Sequence, residues 1–296
     1  MHTPASAVRV YLVVPVHNRW RYAEPFLSGV EQQTWSPLTT IVVDDGSTDG
    51  TSQFIQELFP HVVLLRGDGN LWWTGAVNMG IRWALERAAT TDYVLLINDD
   101  LEVDPRFVER LVRFALRHPR ALVGVPTVPI GGGDQIEDGG TVINWWTAKH
   151  RTLNRGRRLT QFAAGHFERV SYLTGRGVLI PVRAFRDAGL YDDAHFLQCG
   201  DTEFPIRAAK LGYQLLISYD CAVRSHVEEV AAVNRERAYT LGMWKEYFFG
   251  IKSNTRLKYR FYVARTGAGP NPIRFVTYLA CDVARLLIHF VRRLAF

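Results

Sequence analysis

The chain alternates short apolar runs with segments in which apolar residues recur at helical spacing. Val8–Val16 (VRVYLVVPV) is rich in β-branched residues and reads as a buried strand. Arg21–Gln33 sets Tyr22, Phe26 and Val30 four residues apart, on one helix face. Thr40–Val43 reads as a second strand, closed by Asp44-Asp45-Gly46-Ser47. Asp49–Phe59 predicts a helix that Asp49 or Thr51 can cap, with Phe54, Ile55 and Leu58 inward. A strand at Val62–Leu65, a helix at Gly75–Ala88, a strand at Tyr93–Ile97, a helix at Pro105–Leu116 and a strand at Leu122–Val125 continue the alternation. This order predicts right-handed crossovers and an α/β fold, a mostly parallel central sheet flanked by helices.

In such sheets ligands sit beyond the carboxyl ends of the strands. Four polar clusters fall there: Pro15–Asn18, Asp44–Ser47, Arg66–Asn70 and Asn98–Asp100. Each alone is also an ordinary turn or helix cap. Four strand ends that all supply acids, amides or an Arg point to a shared site. Between 131 and 169 lie two glycine clusters, Trp145-Trp146 and a basic run at Arg151–Arg158. This stretch reads as excursions and short strands over the site. Gly131–Gly133 does not open a helix in a GxGxxG frame, so a dinucleotide fingerprint is absent.

Further on, Thr174-Gly175-Arg176-Gly177 precedes the apolar run Val178–Pro181. Gly200-Asp201-Thr202-Glu203-Phe204 leads into a short helix at Ile206–Leu211. Asp201 and Glu203 stand at its positive end, where carboxylates are favoured, and capping alone would explain them. Leu215–Ser218 and Ala222–Arg224 read as strands, with His226 directly after.

Composition adds two constraints. Of 296 residues, 47% are hydrophobic and 22% charged, which excludes general disorder and fits one large domain or two modest ones. Three Cys without a CxxC exclude a disulfide scaffold or zinc module and suit a reduced, cytoplasmic compartment. The N-terminal run does not read as a signal peptide, and no stretch of 18 apolar residues suggests a membrane span. The formal charge of +6 is uneven: Lys252–Phe296 holds nine Lys/Arg and one Asp, leaving the preceding 251 residues at −2. The basic residues lie in an apolar tail and no nucleic-acid motif appears, so nucleic acid is not the expected partner.

The ordered set of motifs resembles a family 2 glycosyltransferase of the GT-A fold. It runs Pro15-x-His17-Asn18, VVDDGSTDG (42–50), NLWWTGAVNMG (70–80), LINDD (96–100), G-x-GVLI (175–180) and GDTEFPIRAAKLGY (200–213), with His226 trailing. It covers roughly residues 8–230. The double Trp is similar to bacterial rhamnosyltransferase-like members. Two departures stand out: Asn98 replaces the first acid of the D-x-D element, and Gly200 the first acid of the E-D pair.

The resemblance implies a catalytic domain at 1–235, with a nucleotide-sugar half at 1–125 and an acceptor half at 126–235. A helical, basic region follows at 236–296. It implies an inverting transfer from a nucleotide-diphospho-sugar to a glycan or lipid-linked acceptor, with Mn²⁺ or Mg²⁺ neutralising the leaving diphosphate. Asp100 and His226 would hold that cation. Asp201 would be the general base, with Glu203 the alternative base or an acceptor-orienting group. Donor-side residues would be Pro15, His17, Asn18, Asp44, Asp45, Arg66, Asn70, Trp73, Asn78 and Asp99. Either Asp44 or Asp45 would read the base or ribose, and Asp99 would face metal or ribose. Acceptor-side residues would be Trp72, Gly175, Arg176 and Glu203. Trp72 and Trp73 can form a sugar-facing wall or simply pack.

The tail 256–296 reads as a basic amphipathic helix able to lie on an anionic membrane, on the protein, or on a second subunit. That would make the chain peripheral on the inner face of the cell membrane. Two other classes remain. A catalytically silent sugar-nucleotide or glycan-binding module would share the fold. A sugar-phosphate nucleotidyltransferase would need a glycine-rich loop where PVHNRW stands, and is set aside.

Overall fold

The computed structural model describes residues 8–131, 133–225, 240–251, 253 and 255–294. In chain order the elements are β1 (Val10–Val16), α1 (Trp20–Glu31), β2 (Leu38–Asp44), α2 (Thr51–Leu58), β3 (Val63–Arg66), α3 (Trp72–Leu85), β4 (Tyr93–Leu96), β5 (Leu101–Val103) and α4 (Phe107–Arg117). Then follow β6 (Ala121–Gly124), β7 (Thr127–Pro129), β8 (Thr141–Asn144), β9 (Lys149–Thr152), β10 (Phe167–Arg169), β11 (Val178–Pro181) and α5 (Val182–Ala188). The rest are α6 (Glu203–Lys210), β12 (Gln214–Ser218), β13 (Val223–Ser225), α7 (Trp244–Phe249), α8 (Leu257–Ala268) and α9 (Pro272–Leu294).

Eight strands form the central sheet in the order β10-β12-β6-β11-β4-β1-β2-β3. Along β1 alternate residues serve opposite cores. Val10, Leu12 and Val14 pack with α1 and α4, while Tyr11 and Val13 pack with α3. A strand covered on both faces needs the near-continuous apolar run that the sequence carries.

The parallel strands β1, β2 and β4 end at one edge, with Val16 opposite Asp44 and Val13 opposite Leu96. Two strands break the parallel pattern: β10 runs antiparallel to β12, and β11 runs antiparallel to both β4 and β6. The first residue of β11, Val178, pairs with Leu96, and Gly177 N–H donates to Leu96 O at 3.0 Å. A reversed strand thus brings its beginning, Gly175–Gly177, to the edge where its neighbours bring their ends.

The C-terminal helices pack on this body. Val263 of α8 meets Phe196 and Ile206, and Ala264 and Tyr278 meet Ile143 and Ala148 of the β8–β9 ribbon. An ion pair of the half-buried Arg260 with the buried Asp282, at 3.4 Å, joins α8 to α9. The middle stretch forms the separate ribbon β8–β9 and the edge strand β10 of the central sheet. Helix α3 begins at Trp72 rather than Gly75, and α6 at Glu203 rather than Ile206. Glu203 therefore lies inside its helix, and Asp201 sits in the 3₁₀ turn Gly200–Thr202 before it.

Candidate active site

A cleft of about 380 Å³ opens at the shared strand edge. Pro15, His17, Asp45, Trp72, Trp73, Asp99 and Asp100 line it, as the motif order implies. Arg19, Asn98 and Gln198 line it too, and the sequence reading did not assign them a role in binding. The residues come from three strand ends, one helix start and the 198 loop, so only the folded chain assembles them.

Arg19 dominates the floor. Its Nε lies 2.9 and 2.8 Å from the two oxygens of Asp99, and its Nη2 lies 3.1 Å from Asp100. Asp99 is almost fully buried, with 5% of its side chain exposed, against 32% for Asp100. Burial pushes the Asp99 carboxyl up to about 6, against the opposing pull of Arg19. Asp100 is the acid with a free approach from the cleft.

Asp45 builds the wall. Its carboxylate accepts N–H bonds from Gly69 (2.9 Å), Leu71 (3.2 Å) and Trp72 (2.9 Å), while its own carbonyl accepts from His17 Nδ1 at 2.6 Å. Those bonds hold Trp72 at φ +55°, a conformation costly for a bulky residue. Asn18 (φ +53°) and Cys199 (φ +61°) flank the same cleft. Strain gathered there is what a pre-shaped binding site costs. Asn18 is fixed by its Oδ1, which accepts from Thr48 N–H at 2.7 Å.

The second acid lies one layer behind. Gly175 N–H donates to Asp201 Oδ2 at 3.1 Å, and a Cβ at Gly175 would collide with the Trp73 ring. Trp73 Nε1 in turn donates to Asn98 Oδ1 at 3.2 Å. The chain of contact Asn98–Trp73–Gly175–Asp201 thus links the end of β4 to the turn before α6. Asp201 itself is not among the residues lining the cleft. Burial raises its pKa, opposed by the Gly175 N–H and the charge of Arg176. Cys199 beside it is pushed up to about 11 by burial and by that same carboxylate, so its thiol is inert at neutral pH.

Gly200 has a steric reason. A Cβ there would lie 2.6 Å from Thr74 Oγ1, so the first acid of the pair has no room. Helix α8 supports the turn from the other side: Tyr259 O–H donates to Thr202 Oγ1 at 2.9 Å.

Several expected residues do not reach the cleft. Asp44 is buried, accepting from Ser47 N–H and Ser52 O–H at 2.9 and 2.5 Å, which is the turn-and-cap role. Asn78 is buried and pins the 191–193 segment through Tyr191 and Asp193. Arg66 is exposed and donates to Gln56, and Asn70 is exposed beside Asp68. Glu203 is buried in a two-pronged ion pair with Arg207 at 2.9 and 3.0 Å, and Arg207 also binds the carbonyls of Ala188 and Leu190. That arrangement braces the 188–190 turn and engages both carboxylate oxygens of Glu203. His226 lies outside the described residues.

Among the described residues no three His, Cys, Asp or Glu gather as a metal cluster. One exposed carboxylate, Asp100, beside a buried one fits a hard cation completed by substrate phosphates, since such ions commonly take one or two protein carboxylates.

Residues 11–169 match Glycosyl transferase family 2, and residues 93–296 match Glycosyl transferase family group 2. An N-acetylglucosaminyl-diphospho-decaprenol L-rhamnosyltransferase of Mycobacterium tuberculosis is 28% identical over 225 residues, 68% of this chain and 71% of that protein. The succinoglycan biosynthesis protein ExoA of Rhizobium meliloti is 24% identical over 242 residues, 80% of this chain and 66% of that one. Among solved structures, GalNAc-T7 with UDP, GalNAc and Mn²⁺ superposes with a TM-score of 0.62 at 16% identity. It covers 88% of this chain, which spans about half (48%) of that protein. The mannosyltransferase PcManGT of Pyrobaculum calidifontis, with GDP-Man and Mn²⁺, gives 0.58 at 17% identity over 98% of this chain and 73% of its own. At these identities the structural likeness is one of fold.

Proposed function

The chain belongs to glycosyl transferase family 2, and from that membership we propose that it transfers a sugar, with inversion, from a nucleotide-diphospho-sugar to a hydroxyl of a lipid-linked glycan acceptor in cell-surface polysaccharide synthesis. It is a glycosyltransferase with the GT-A fold. The observation that carries the reading is the contact chain from Asn98, which precedes the Asp99–Asp100 floor, to Asp201 through Trp73 and Gly175.

In this reading the donor diphosphate lies against Arg19, Asp99 and Asp100, and the nucleoside against Pro15, His17 and Asp45. A divalent cation, held by Asp100 and by His226, would neutralise charge on the leaving diphosphate. Arg19 supplies a fixed positive charge to the same oxygens. Asp201 takes the proton of the attacking hydroxyl, and its raised pKa brings it closer to the working pH of a base. Gly175 N–H, with the backbone N–H groups of Asp201 and Thr202, keeps the carboxylate in place. The name of the mycobacterial relative supports a polyprenyl-diphosphate-linked acceptor and makes a rhamnosyl donor the first to try.

One observation favours the silent-module alternative: Arg19 already neutralises the acid pair. A panel of nucleotide-sugars tested by thermal shift with Mn²⁺ or Mg²⁺ identifies the donor, because a true ligand stabilises by mass action. Cation-dependent turnover of that donor, lost in Asp201→Asn with donor binding kept, supports the enzyme. Binding without turnover supports the module.

A further inference from the structure

Helix α9 has two apolar faces. Tyr278, Asp282, Leu286 and Phe290, four residues apart, face the body and are buried. Ile273, Val276, Leu287, Ile288 and Val291 lie on the other side and are exposed, Ile273 at 67%, Val276 at 60% and Val291 at 58%. A helix that packs on its own domain through one face has no need of apolar residues on the opposite face. The neighbouring α7, which packs on α9 through Tyr247 and Phe248, also exposes Trp244 and Phe249.

The charges beside this stripe select its occupant. Arg274, Arg285 and Arg292 fall along one flank of it at helical spacing, seven and eleven residues apart. The helix carries one acid, Asp282, and it is buried against Arg260, so every exposed formal charge on α9 is positive. Two copies pairing by this face would bring those arginine rows together with no acid of the helix to offset them. An anionic lipid surface satisfies both parts: its acyl boundary takes the apolar stripe and its headgroups take the flanking guanidiniums. No described helix is long and apolar enough to cross a membrane.

We propose that the outer face of α9, with α7 beside it, seats the enzyme in the headgroup region of an anionic bilayer. The proposal rests on the reading of the acceptor as lipid-linked. Because α8 connects α9 to the turn bearing Asp201, a seated α9 would hold the base at a fixed height above the acceptor's membrane anchor.

The test is sedimentation of the full chain with vesicles of phosphatidylcholine alone, or mixed with phosphatidylglycerol, at low and high salt. The wild type is expected to sediment with the mixed vesicles and to be released by salt. The variant Val276→Asp/Leu287→Asp/Val291→Asp, altered only at exposed positions, should stay in the supernatant. Arg285→Gln and Arg292→Gln should each weaken binding roughly five-fold. Wild type that ignores anionic vesicles, or a triple variant that still binds, overturns the proposal. So does a stable wild-type dimer in lipid-free ultracentrifugation that the triple variant dissolves, which would give the face to a second copy. Thermal shift with the donor separates the two readings: a triple variant that binds donor as wild type does has lost docking alone, whereas a wild type that binds no donor bears on the catalytic reading.

Discussion

The guanidinium of Arg19 grips both oxygens of Asp99 at 2.8 and 2.9 Å, and the same group reaches Asp100 at 3.1 Å. Removing the cation leaves a buried carboxylate uncompensated. Arg19→Ala should therefore lower stability by about 1–3 kcal/mol, below the full cost of breaking a buried pair because Arg19 is partly exposed. It should also weaken donor binding at least about ten-fold, as one charged hydrogen-bonding partner of the diphosphate is lost. Arg19→Lys keeps the charge and should recover part of both. Melting curves and donor titration read the two effects separately.

Asp99 gives a pH signature. Its native pKa is about 6 and its ordinary value 3.8, so between these the native state holds the extra proton. The stability this group contributes is full below 3.8 and is lost as pH rises through about 6. In the proposed reading donor and cation binding need the charged form, so affinity should rise over the same window. Melting temperature and donor affinity, measured from about pH 5 to pH 8, are compared with Asp99→Asn. The variant should show a flatter stability trend and no rise in affinity near pH 6. An affinity step that persists in the variant assigns it to another group.

The fold was readable because each apolar run is short, β-branched and punctuated by Gly, Pro or acids. The reversal of β11 was not, since Val178–Pro181 carries no mark of strand direction. Pro15, His17, Asp45, Trp72, Trp73, Asp99 and Asp100 stand in recognisable motifs and meet in the cleft. Arg19 was available one residue after Asn18, yet a single Arg in a loop has no signature until its partner 80 residues away is known. Asp44 and Asp45 are alike in sequence, and opposite side-chain directions send one to a cap and the other to the cleft wall. Gln198 follows no pattern, and only the 3D packing of its loop on α3, through Leu197 O and Thr74 N–H, brings it in.

Glu203 and Asp201 are separated by one residue and predict different phenotypes. Asp201→Asn keeps the shape and can still accept from Gly175, so the turnover number should fall about 10²–10⁴-fold with melting and donor affinity little changed. Glu203→Ala strands Arg207 and should cost about 2–4 kcal/mol of stability. Its loss of activity should follow the fraction unfolded. A Glu203→Ala protein with native melting and no turnover would return Glu203 to the acceptor site.

At Gly200 the missing acid has a local test. Gly200→Ala drives a Cβ to 2.6 Å from Thr74 Oγ1 and should destabilise by about 1–3 kcal/mol, with Asp201 displaced and turnover reduced. Among the described residues Thr74 Oγ1 is buried without a hydrogen-bond partner, so Thr74→Ala removes the obstacle and no bond seen there. The double variant should regain most of the stability, a coupling that a cycle measures directly. Additive losses would mean that the space at 200 is limited by something else.

Tail deletion is an ambiguous experiment for reasons visible in α8. Tyr259 donates to Thr202, Val263 packs on Phe196 and Ile206, and Tyr262 stacks on His195 at 3.9 Å, all within the segment that carries Asp201. Removing 256–296 would strip this wall as well as the exposed face of α9. Tyr259→Phe isolates the inner role. It deletes one hydrogen bond, so stability should fall by about 0.5–1.5 kcal/mol. Turnover should fall several-fold with a water-soluble acceptor and with a lipid-linked one alike, and vesicle binding should not change. An effect confined to the lipid-linked acceptor would mean that α8 acts through the membrane instead of through the turn at Gly200–Thr202.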